Sequence, residues 1–258
     1  MITVKNLSKH FGGIKAVDGV DLHIGRGSIT GLVGPNGAGK TTMFNLIAGL
    51  YQPTEGEIIL DGEDVTELTS HQLFHKGLLR TFQIAHEFPT LSVLENLMMV
   101  PANQSGEHLI NTWLRRKQIQ EEEKMLQEKA EGVIDFLSIS HLKNERAGNL
   151  SGGQKKLLEL ARTMMVDAKV VLLDEVGAGV NRTLLKQIGD AILRLNSERG
   201  YTFCMIEHDM DFISRLCNPV VVLAEGQILT TGTPDEIKSS DAVIDAYLGK
   251  GLRTEVSA

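Results

Sequence analysis

The chain has 258 residues, of which 42% are hydrophobic, and a formal net charge of -7. This length is enough for one large α/β domain or two modest ones, and the apolar fraction is ample for a core. The acidic balance excludes the broad positive field of a nucleic-acid or anionic-membrane binder.

Neither cysteines nor long apolar runs point to an extracellular or membrane-spanning protein. Cys204 and Cys217 have apolar surroundings and no CxxC motif or His/Cys cluster, so we expect no metal site or disulfide framework, and a reducing cytosol fits best. The start, MITVKNLSKHFGG, lacks the apolar run of a signal peptide, and no stretch approaches the roughly 20 apolar residues that span a bilayer. We expect any membrane association to come through a partner.

The first third of the sequence predicts strands followed by a strand–loop–helix unit. Residues 2–33 alternate apolar and polar positions between glycines, which predicts antiparallel strands and hairpins. Within them, 29–33 is predicted as a strand that feeds a glycine-rich turn, and 40–50 follows as a helix that ends at Gly49. Residues 57–60 are predicted to return to strand.

The remainder predicts a helical block and then an α/β region. From about residue 92 to 137 the sequence is charged and helix-favouring, with scattered apolar positions. After residue 150 the alternation of helices and strands predicts a mostly parallel sheet. The predicted helices are 152–166 and 182–197, and the predicted strands are 170–173, 201–206 and a closing strand at 220–223. We therefore predict a single domain, 1–258, with a core of about 1–91 and 151–258 and an inserted helical subdomain of about 92–150.

A phosphate-binding loop follows the predicted strand 29–33. Residues 34–41 satisfy the pattern G-x-x-x-x-G-K-S/T and open a helix, as the mechanism of the motif requires. Backbone N–H groups wrap the phosphates, Lys40 adds positive charge, and the Thr41 hydroxyl can reach Mg²⁺. The expected ligand is a nucleoside triphosphate, and a glycine-rich turn with an exposed lysine is the alternative. The expected contacts are Gly34, Pro35, Asn36, Gly37, Ala38, Gly39, Lys40, Thr41 and Thr42.

Two acids end an apolar run at residues 170–175. A buried parallel strand would deliver both carboxylates to the sheet edge where the phosphates lie. Asp174 can then hold the Mg²⁺ shell, while Glu175 polarises the attacking water. Either acid alone could be a polar strand terminus.

Residues 150–154, Leu-Ser-Gly-Gly-Gln, followed by KKLLELAR, resemble the signature of ABC-transporter ATPases. A serine before two glycines is suited to capping a helix whose N–H groups face an anion. In the family this anion is the γ-phosphate of ATP held by the opposing subunit. The resemblance therefore implies ATP contacts from Ser151, Gly152, Gly153 and Gln154.

Other motifs follow in family order. Phe11 in KHFGG resembles the aromatic that stacks on adenine, with a core phenylalanine as the alternative. Gln83 in RTFQ resembles the glutamine that touches Mg²⁺ or the attacking water, and His208 in IEHDM resembles the switch histidine that contacts the γ-phosphate. The loop 178–181 corresponds to the segment that communicates between the two ATP sites, but Val176 replaces the usual proline and Asn181 a frequent aspartate.

The resemblance spans about residues 2–250 and implies an α/β P-loop NTPase fold of the ABC ATPase type. This fold has a mixed parallel core sheet, an N-terminal antiparallel β layer and an inserted helical subdomain. The family hydrolyses ATP with Mg²⁺, and the residues implied in catalysis are Lys40, Gln83, Glu175 and His208. Thr41, Gln83 and Asp174 are implied in metal binding. The implied partners are a second ATPase subunit, identical or paralogous, and integral-membrane permeases, with a solute-binding protein acting indirectly and no nucleic acid.

The narrower features resemble the ATPases of branched-chain amino acid transporters and their urea or amide relatives. They include RTFQ, IEHDM and the ending GTPDEIKSSDAVIDAYLG. We expect an importer subunit at the cytoplasmic face of the membrane. Lipopolysaccharide or lipid export, or a soluble ABC ATPase of translation or DNA repair, stay open as alternatives. A regulatory module or a P-loop kinase would share the phosphate loop, but Glu175 and the signature oppose both.

Overall fold

The structure is a computed structural model that describes residues 1–81, 87–102, 104–105, 115–166 and 168–248. The strands of this part of the chain form a four-stranded and a six-stranded sheet. In chain order the strands are β1 (Ile2–Phe11), β2 (Ile14–Ile24), β3 (Ile29–Val33), β4 (Glu55–Leu60), β5 (Glu63–Asp64), β6 (Leu78–Arg80), β7 (Val170–Asp174), β8 (Thr202–Ile206), β9 (Val220–Ala224) and β10 (Gln227–Gly232).

The α-helices alternate with the strands of the larger sheet and also form a separate group in the middle of the chain. In chain order they are α1 (Lys40–Ile47), α2 (Ser70–His75), α3 (Val93–Met98), α4 (Arg116–Phe136), α5 (Gly152–Met164), α6 (Arg182–Arg199), α7 (Met210–Leu216), α8 (Pro234–Lys238) and α9 (Asp241–Leu248).

The smaller sheet has the strand order β2-β1-β4-β5, and every pair of neighbours in it is antiparallel. Its buried side chains, such as Ile2, Val4 and Leu7, belong to one core cluster with Met43 and Phe44 of α1. The antiparallel layer predicted from the alternation in residues 2–33 is therefore confirmed.

The larger sheet has the order β10-β9-β3-β8-β7-β6. Strands β9, β3, β8, β7 and β6 run parallel to their neighbours, and only β10 is antiparallel. Every residue of β3, β7 and β8 is buried, as expected of strands covered on both faces. The mixed, mostly parallel core sheet expected from the sequence is confirmed.

The prediction that 220–223 is the closing strand is wrong. Strand β10 follows β9, pairs with it at the sheet edge, and is itself followed by α8 and α9. Along β10 exposed and half-buried residues alternate without a buried position, so its apolar signal is weak. Strand β6 also escapes prediction, because three residues are too short to show a period.

The chain divides into two compact units. The first comprises Met1–Arg80, Lys169–Gly177 and Ile192–Ala258, and the second comprises Thr81–Ala168 and Ala178–Ala191. Both sheets belong to the first unit, while α3, α4 and α5 belong to the second. The second unit extends beyond the 92–150 segment proposed from composition, because residues 178–191, which open α6, are distant in sequence from that segment.

Candidate active site

Three neighbouring parallel strands bring the predicted site residues of the first unit to one edge of the sheet. Leu32 of β3 and Asp174 of β7 both pair with Ile206 of β8, so the three strands end at the same level. The phosphate loop follows β3, Glu175 follows β7, and His208 follows β8. The carboxyl ends of parallel strands are where open α/β sheets bind their ligands.

At two glycines of the phosphate loop, the backbone lies so close to the carbonyl oxygens of neighbouring strands that a residue with a Cβ atom would not fit. Gly34 has φ 148°, and a Cβ atom there would lie 2.0 Å from the carbonyl oxygen of Leu223. Gly39 has φ 101°, and its Cβ would lie 2.3 Å from the carbonyl oxygen of Ala16. Any side chain at either position would therefore displace the loop from the strands beneath it.

Lys40 is buried, and its ammonium group lies inside the loop. Its Nζ atom donates hydrogen bonds to the carbonyl oxygens of Gly34, at 2.7 Å, and Pro35, at 2.9 Å. Burial lowers the pKa of Lys40, and the negative charges of Glu175 and Asp174 partly oppose this shift. The lysine is thus a desolvated cation close to both predicted carboxylates.

Helix α1 begins at Lys40 without a side-chain cap and without an acidic residue in its first turn. The first N–H groups of a helix lack partners within it, and together with the helix dipole they favour an anion. Of the other predicted phosphate contacts, Ala38 is buried, Thr42 is half-buried and Thr41 is exposed. This arrangement suits a polyphosphate held by backbone N–H groups and one lysine.

Glu175 has a strained backbone and a close partner. Its φ of 48° lies in the left-handed region, which costs a residue other than glycine about 1–3 kcal/mol. Its N–H group donates to the carbonyl oxygen of Ile206 at 3.0 Å. Its Oε1 atom lies 3.0 Å from Nε2 of His208, so the structure brings the two predicted catalytic side chains together.

Arg80 is a residue of this edge that the sequence analysis missed. Its Nη2 atom donates to Oδ2 of Asp174 at 2.7 Å, and Nη1 donates to Oδ1 of Asn45 in α1. Both members of the Arg80–Asp174 ion pair are almost fully buried. The one available sequence signal was a cation directly before Thr81-Phe82-Gln83, and a single arginine carries no period or spacing that indicates a buried partner.

Glu207 is the second missed residue. It stands between Ile206 and His208 in the chain and is buried. Its Oε1 atom accepts a hydrogen bond from the N–H group of Gly177 at 2.7 Å. Burial raises the pKa of its carboxyl group.

In the second unit, the signature residues form the start of α5. Ser151 caps the helix, because its side chain accepts from the N–H group of Gln154 while the Gln154 side chain accepts from the N–H group of Ser151. This confirms the predicted cap. A Cβ atom on Gly153 would lie 2.2 Å from Leu184 Cδ2, whereas one on Gly152 would meet no atom of the described residues within 4 Å. Packing inside the chain therefore accounts for Gly153 and not for Gly152.

Three further predicted positions are Phe11, Asn181 and Gln83. The ring of Phe11 lies edge-on to Tyr51, with centroids 5.5 Å apart, and its role towards adenine stays a prediction. Asn181 accepts from the N–H group of Leu184 at 2.9 Å and so caps the start of α6, as an aspartate could also do. Gln83 lies outside the described residues.

Comparisons with known proteins identify the class. Residues 17–178 match the sequence model of a family described as ABC transporter. The chain therefore belongs to the ABC transporter family, and it is an ATP-binding, ATP-hydrolysing member of it.

A narrower resemblance follows from the C-terminal region and from whole-chain relatives. Residues 227–252 match a model described as Branched-chain amino acid ATP-binding cassette transporter. A probable branched-chain amino acid transport ATP-binding protein LivG of Archaeoglobus fulgidus is 38% identical over 96% of this chain and 95% of its own length. The high-affinity branched-chain amino acid transport ATP-binding protein BraF of Pseudomonas aeruginosa is 36% identical over 97% of this chain and 98% of its own length.

Solved structures agree with this fold. A nucleotide-free ATP-binding cassette from an ABC transporter has a TM-score of 0.83 at 37% identity and covers 96% of this chain and 99% of its own. The ADP conformation of an ATP-binding cassette of an ABC transporter has the same TM-score at 35% identity, over 96% and 98% of the two chains. Within the described residues, none of the helices has the length and apolar character needed to cross a membrane.

Proposed function

We propose that this chain is the ATPase subunit of an importer of branched-chain amino acids, and that ATP-dependent pairing of two such subunits drives uptake. The observation that carries the proposal is the edge of the larger sheet, where Lys40 opens the uncapped helix α1 close to the charges of Asp174 and Glu175, and Glu175 contacts His208. This is the charge arrangement that a nucleoside triphosphate and an attacking water require.

Each side chain then has a role at a stated atom. The backbone N–H groups of the loop and the Lys40 ammonium hold the phosphates, exchanging the Gly34 and Pro35 carbonyls for phosphate oxygens. The Glu175 carboxylate accepts a proton from the attacking water, and His208, beside it, contacts the γ-phosphate.

Magnesium fits the oxygen donors of this edge. Mg²⁺ prefers hydroxyl, carboxylate, water and phosphate oxygens, and Asp174 lies at a strand end near Lys40 while Thr41 has an exposed position on the first turn of α1. Thr41, Asp174 and Gln83 would hold the ion. When bound, it neutralises charge on the β- and γ-phosphate oxygens.

Pairing of two subunits is supported by the start of α5. Among the described residues nothing fills the space where a Gly152 side chain would stand, and Ser151 presents a hydroxyl at a helix N-terminus. An anion from a second subunit suits this position. The γ-phosphate would thereby attract both subunits, and hydrolysis would release them.

The proposed partners follow from the relatives. The whole-chain relatives are transport ATP-binding proteins whose names specify branched-chain amino acids. We infer that this chain docks peripherally on integral-membrane permeases at the cytoplasmic face, and that a solute-binding protein supplies the amino acid.

Two substitutions test the hydrolytic site. Glu175→Gln should lower kcat at least about 100-fold while ATP still binds, because the amide cannot accept the water's proton. Lys40→Ala should instead weaken ATP binding. Steady-state hydrolysis and equilibrium binding of a fluorescent ATP analogue measure both effects. Unchanged turnover by Glu175→Gln would remove the assigned role.

The transported solute needs a separate test. The chain is reconstituted with permeases and a solute-binding protein from the same organism, in vesicles containing ATP. We expect uptake of radiolabelled leucine or valine, and no uptake with Glu175→Gln. Uptake of urea or an amide instead would reject the branched-chain assignment while leaving the ATPase intact.

A further inference from the structure

The loop that follows β8 contacts the turn after β7 at two points. His208 reaches the side chain of Glu175, with 3.0 Å between Nε2 and Oε1. Glu207 reaches the backbone of the same turn, because its Oε1 atom accepts the N–H group of Gly177 at 2.7 Å. Adjacent residues of one loop therefore hold both the carboxylate and the backbone of the turn 175–177.

The turn needs such support because Glu175 has a positive φ of 48°. Its own N–H group bonds to Ile206, and the N–H group two residues later bonds to Glu207. The last residue of β8 and the residue after it thus fix alternate N–H groups of the turn. Left-handed backbone at a residue other than glycine persists only where the surroundings determine it.

Glu207 is an unusual choice for a merely structural position. Only 5% of its surface is exposed, and burial of a carboxylate is unfavourable unless hydrogen bonds compensate. The N–H groups of Gly177 and His208 both donate to it, and hydrogen bonds to a carboxylate are stronger than those to a neutral acceptor. The hydrogen bonds that compensate the burial of Glu207 therefore come from the two backbone segments that carry Glu175 and His208.

We propose that Glu207 is a positioning residue for ATP hydrolysis, which holds the turn 175–177 so that the Glu175 carboxylate faces the attacking water. This inference rests on the proposed roles of Glu175 and His208 and deepens them. Glu207 itself does not touch the phosphates or the water. Loss of its acceptor should slow hydrolysis without weakening ATP binding, because the contacts of Lys40 belong to the loop after β3.

Two substitutions separate the acceptor from the charge. Glu207→Gln keeps an oxygen that can accept the Gly177 N–H group, so kcat should stay within about threefold of the original. Glu207→Leu has a similar volume without an acceptor, so kcat should fall about 10- to 100-fold with KM for ATP within about twofold. Thr30→Val is the matched control, because Thr30 is a fully buried polar residue on neighbouring β3 whose hydroxyl lies 3.1 Å from that of Ser28, away from the turn 175–177. It should leave kcat unchanged.

The outcomes are decisive in each arm. Wild-type kcat in Glu207→Leu, or an equal loss in Glu207→Gln and Glu207→Leu, would overturn the proposal. If Glu207→Leu does not fold, Glu207→Asp decides, because its shorter side chain cannot keep the 2.7 Å contact. A tenfold loss of kcat in it supports the proposal, and normal kcat rejects it. Glu175→Gln is measured alongside: if it still turns over, the proposed function fails, whereas its inactivity beside an active Glu207→Leu rejects the role of Glu207 alone.

Discussion

Some residues at the edge of the larger sheet carry a buried charge, and Arg80 is the clearest case. Its guanidinium group joins β6 to Asp174 of β7 and Asn45 of α1 and lies 6.0 Å from the centroid of Phe44. Among the residues that the structure describes, its buried Nε atom has no hydrogen-bond partner. Removing one member of a buried ion pair leaves the other charge uncompensated, which costs more than the pair itself contributes. Arg80 thereby pairs with the carboxylate of a proposed metal ligand.

Arg80→Met should lower the free energy of unfolding by about 3 kcal/mol or more, because it leaves the Asp174 carboxylate buried beside an apolar chain. Urea denaturation of Arg80→Met, Asp174→Asn and the double variant gives the coupling energy, and the double variant should lose less than the sum of the two. Lys124→Met is the control, since its pair with Glu128 is exposed and its loss should cost less than about 1 kcal/mol. Additive losses at Arg80 and Asp174 would show that the pair is not coupled.

The two cysteines are buried thiols in the first unit. Cys204 has no exposed surface and Cys217 has 2%. Burial raises the pKa of Cys204 from its ordinary 9.0 to about 12, and burial, with Cys204 and Glu207 nearby, also raises the pKa of Cys217. Since the thiolate is the reactive form, both residues should be inert in the folded protein.

At pH 8 a chromogenic disulfide reagent should label neither thiol until guanidinium unfolds the chain, and then both. Between pH 9.0 and about 12 the unfolded chain loses thiol protons that the folded chain keeps. The unfolded state then binds fewer protons, so stability falls as pH rises through this window. Cys204→Ala should show a shallower fall in its urea midpoint. Rapid labelling of the folded protein at pH 8 would contradict the burial.

At the scale of elements, the helix starts that the structure describes divide into those with a side-chain cap and those without one, and the second group includes both α1 and α4. Helices α2 and α5 begin with complete capping boxes, Thr69 with Gln72 and Ser151 with Gln154. Helix α1 has no side-chain cap. Capping groups satisfy free N–H groups internally, so the uncapped start of α1, which directly follows the phosphate loop, keeps its N–H groups for a phosphate.

The two capping boxes give a matched pair of variants. Thr69→Ala and Ser151→Ala should each cost about 1 kcal/mol of stability, because each removes one N-cap acceptor. Only Ser151→Ala should lose ATP hydrolysis as well, since its hydroxyl is proposed to contact the γ-phosphate of a second subunit. Thermal unfolding and steady-state ATPase assays distinguish these effects. Equal loss of activity in both variants would mean that helix stability, and not Ser151, controls turnover.

Strong local patterns predicted the elements that form the centre of the first unit. Strand β3 matches its predicted bounds, and β7 and β9 exceed theirs by one residue, because long apolar runs between loops identify buried strands. Strands β6 and β10 were not predicted, since one is three residues long and the other alternates between exposed and half-buried residues.

Local spacing in the sequence indicated some residues of the proposed site, but not Arg80, Glu207 or the contacts between the residues. The phosphate loop and the acid pair have their own spacing, whereas the contact of Glu175 with His208 joins residues 33 apart, and that of Arg80 with Asp174 joins residues 94 apart. Each contact depends on which strands are neighbours in the sheet. Strand order is a property of the whole fold, and no local period in the sequence encodes it.

At the scale of the whole molecule, the proposed ATP site needs two copies. The phosphate loop lies in the first unit and the signature in the second, and the proposal assigns one ATP to the loop of one chain and the signature of another. Glu175→Gln should therefore be monomeric without nucleotide and dimeric with Mg·ATP, because ATP that is not hydrolysed holds both copies. Size-exclusion chromatography with light scattering measures the mass.

Two further measurements complete this prediction. Combining Ser151→Ala with Glu175→Gln should prevent the dimer, and the specific activity of the unmodified chain should rise with protein concentration. A monomeric Glu175→Gln at saturating ATP, or a specific activity independent of concentration, would contradict pairing.

The path of the backbone between the two units has a consequence for protein engineering. The polypeptide passes from one unit to the other after Arg80, Ala168, Gly177 and Ala191. The second unit therefore cannot be transplanted into a homologue by exchanging one stretch of gene. A chimaera must carry both Thr81–Ala168 and Ala178–Ala191 from the same donor, and two of its four splice points would directly adjoin the residues bonded to Asp174 and Glu207.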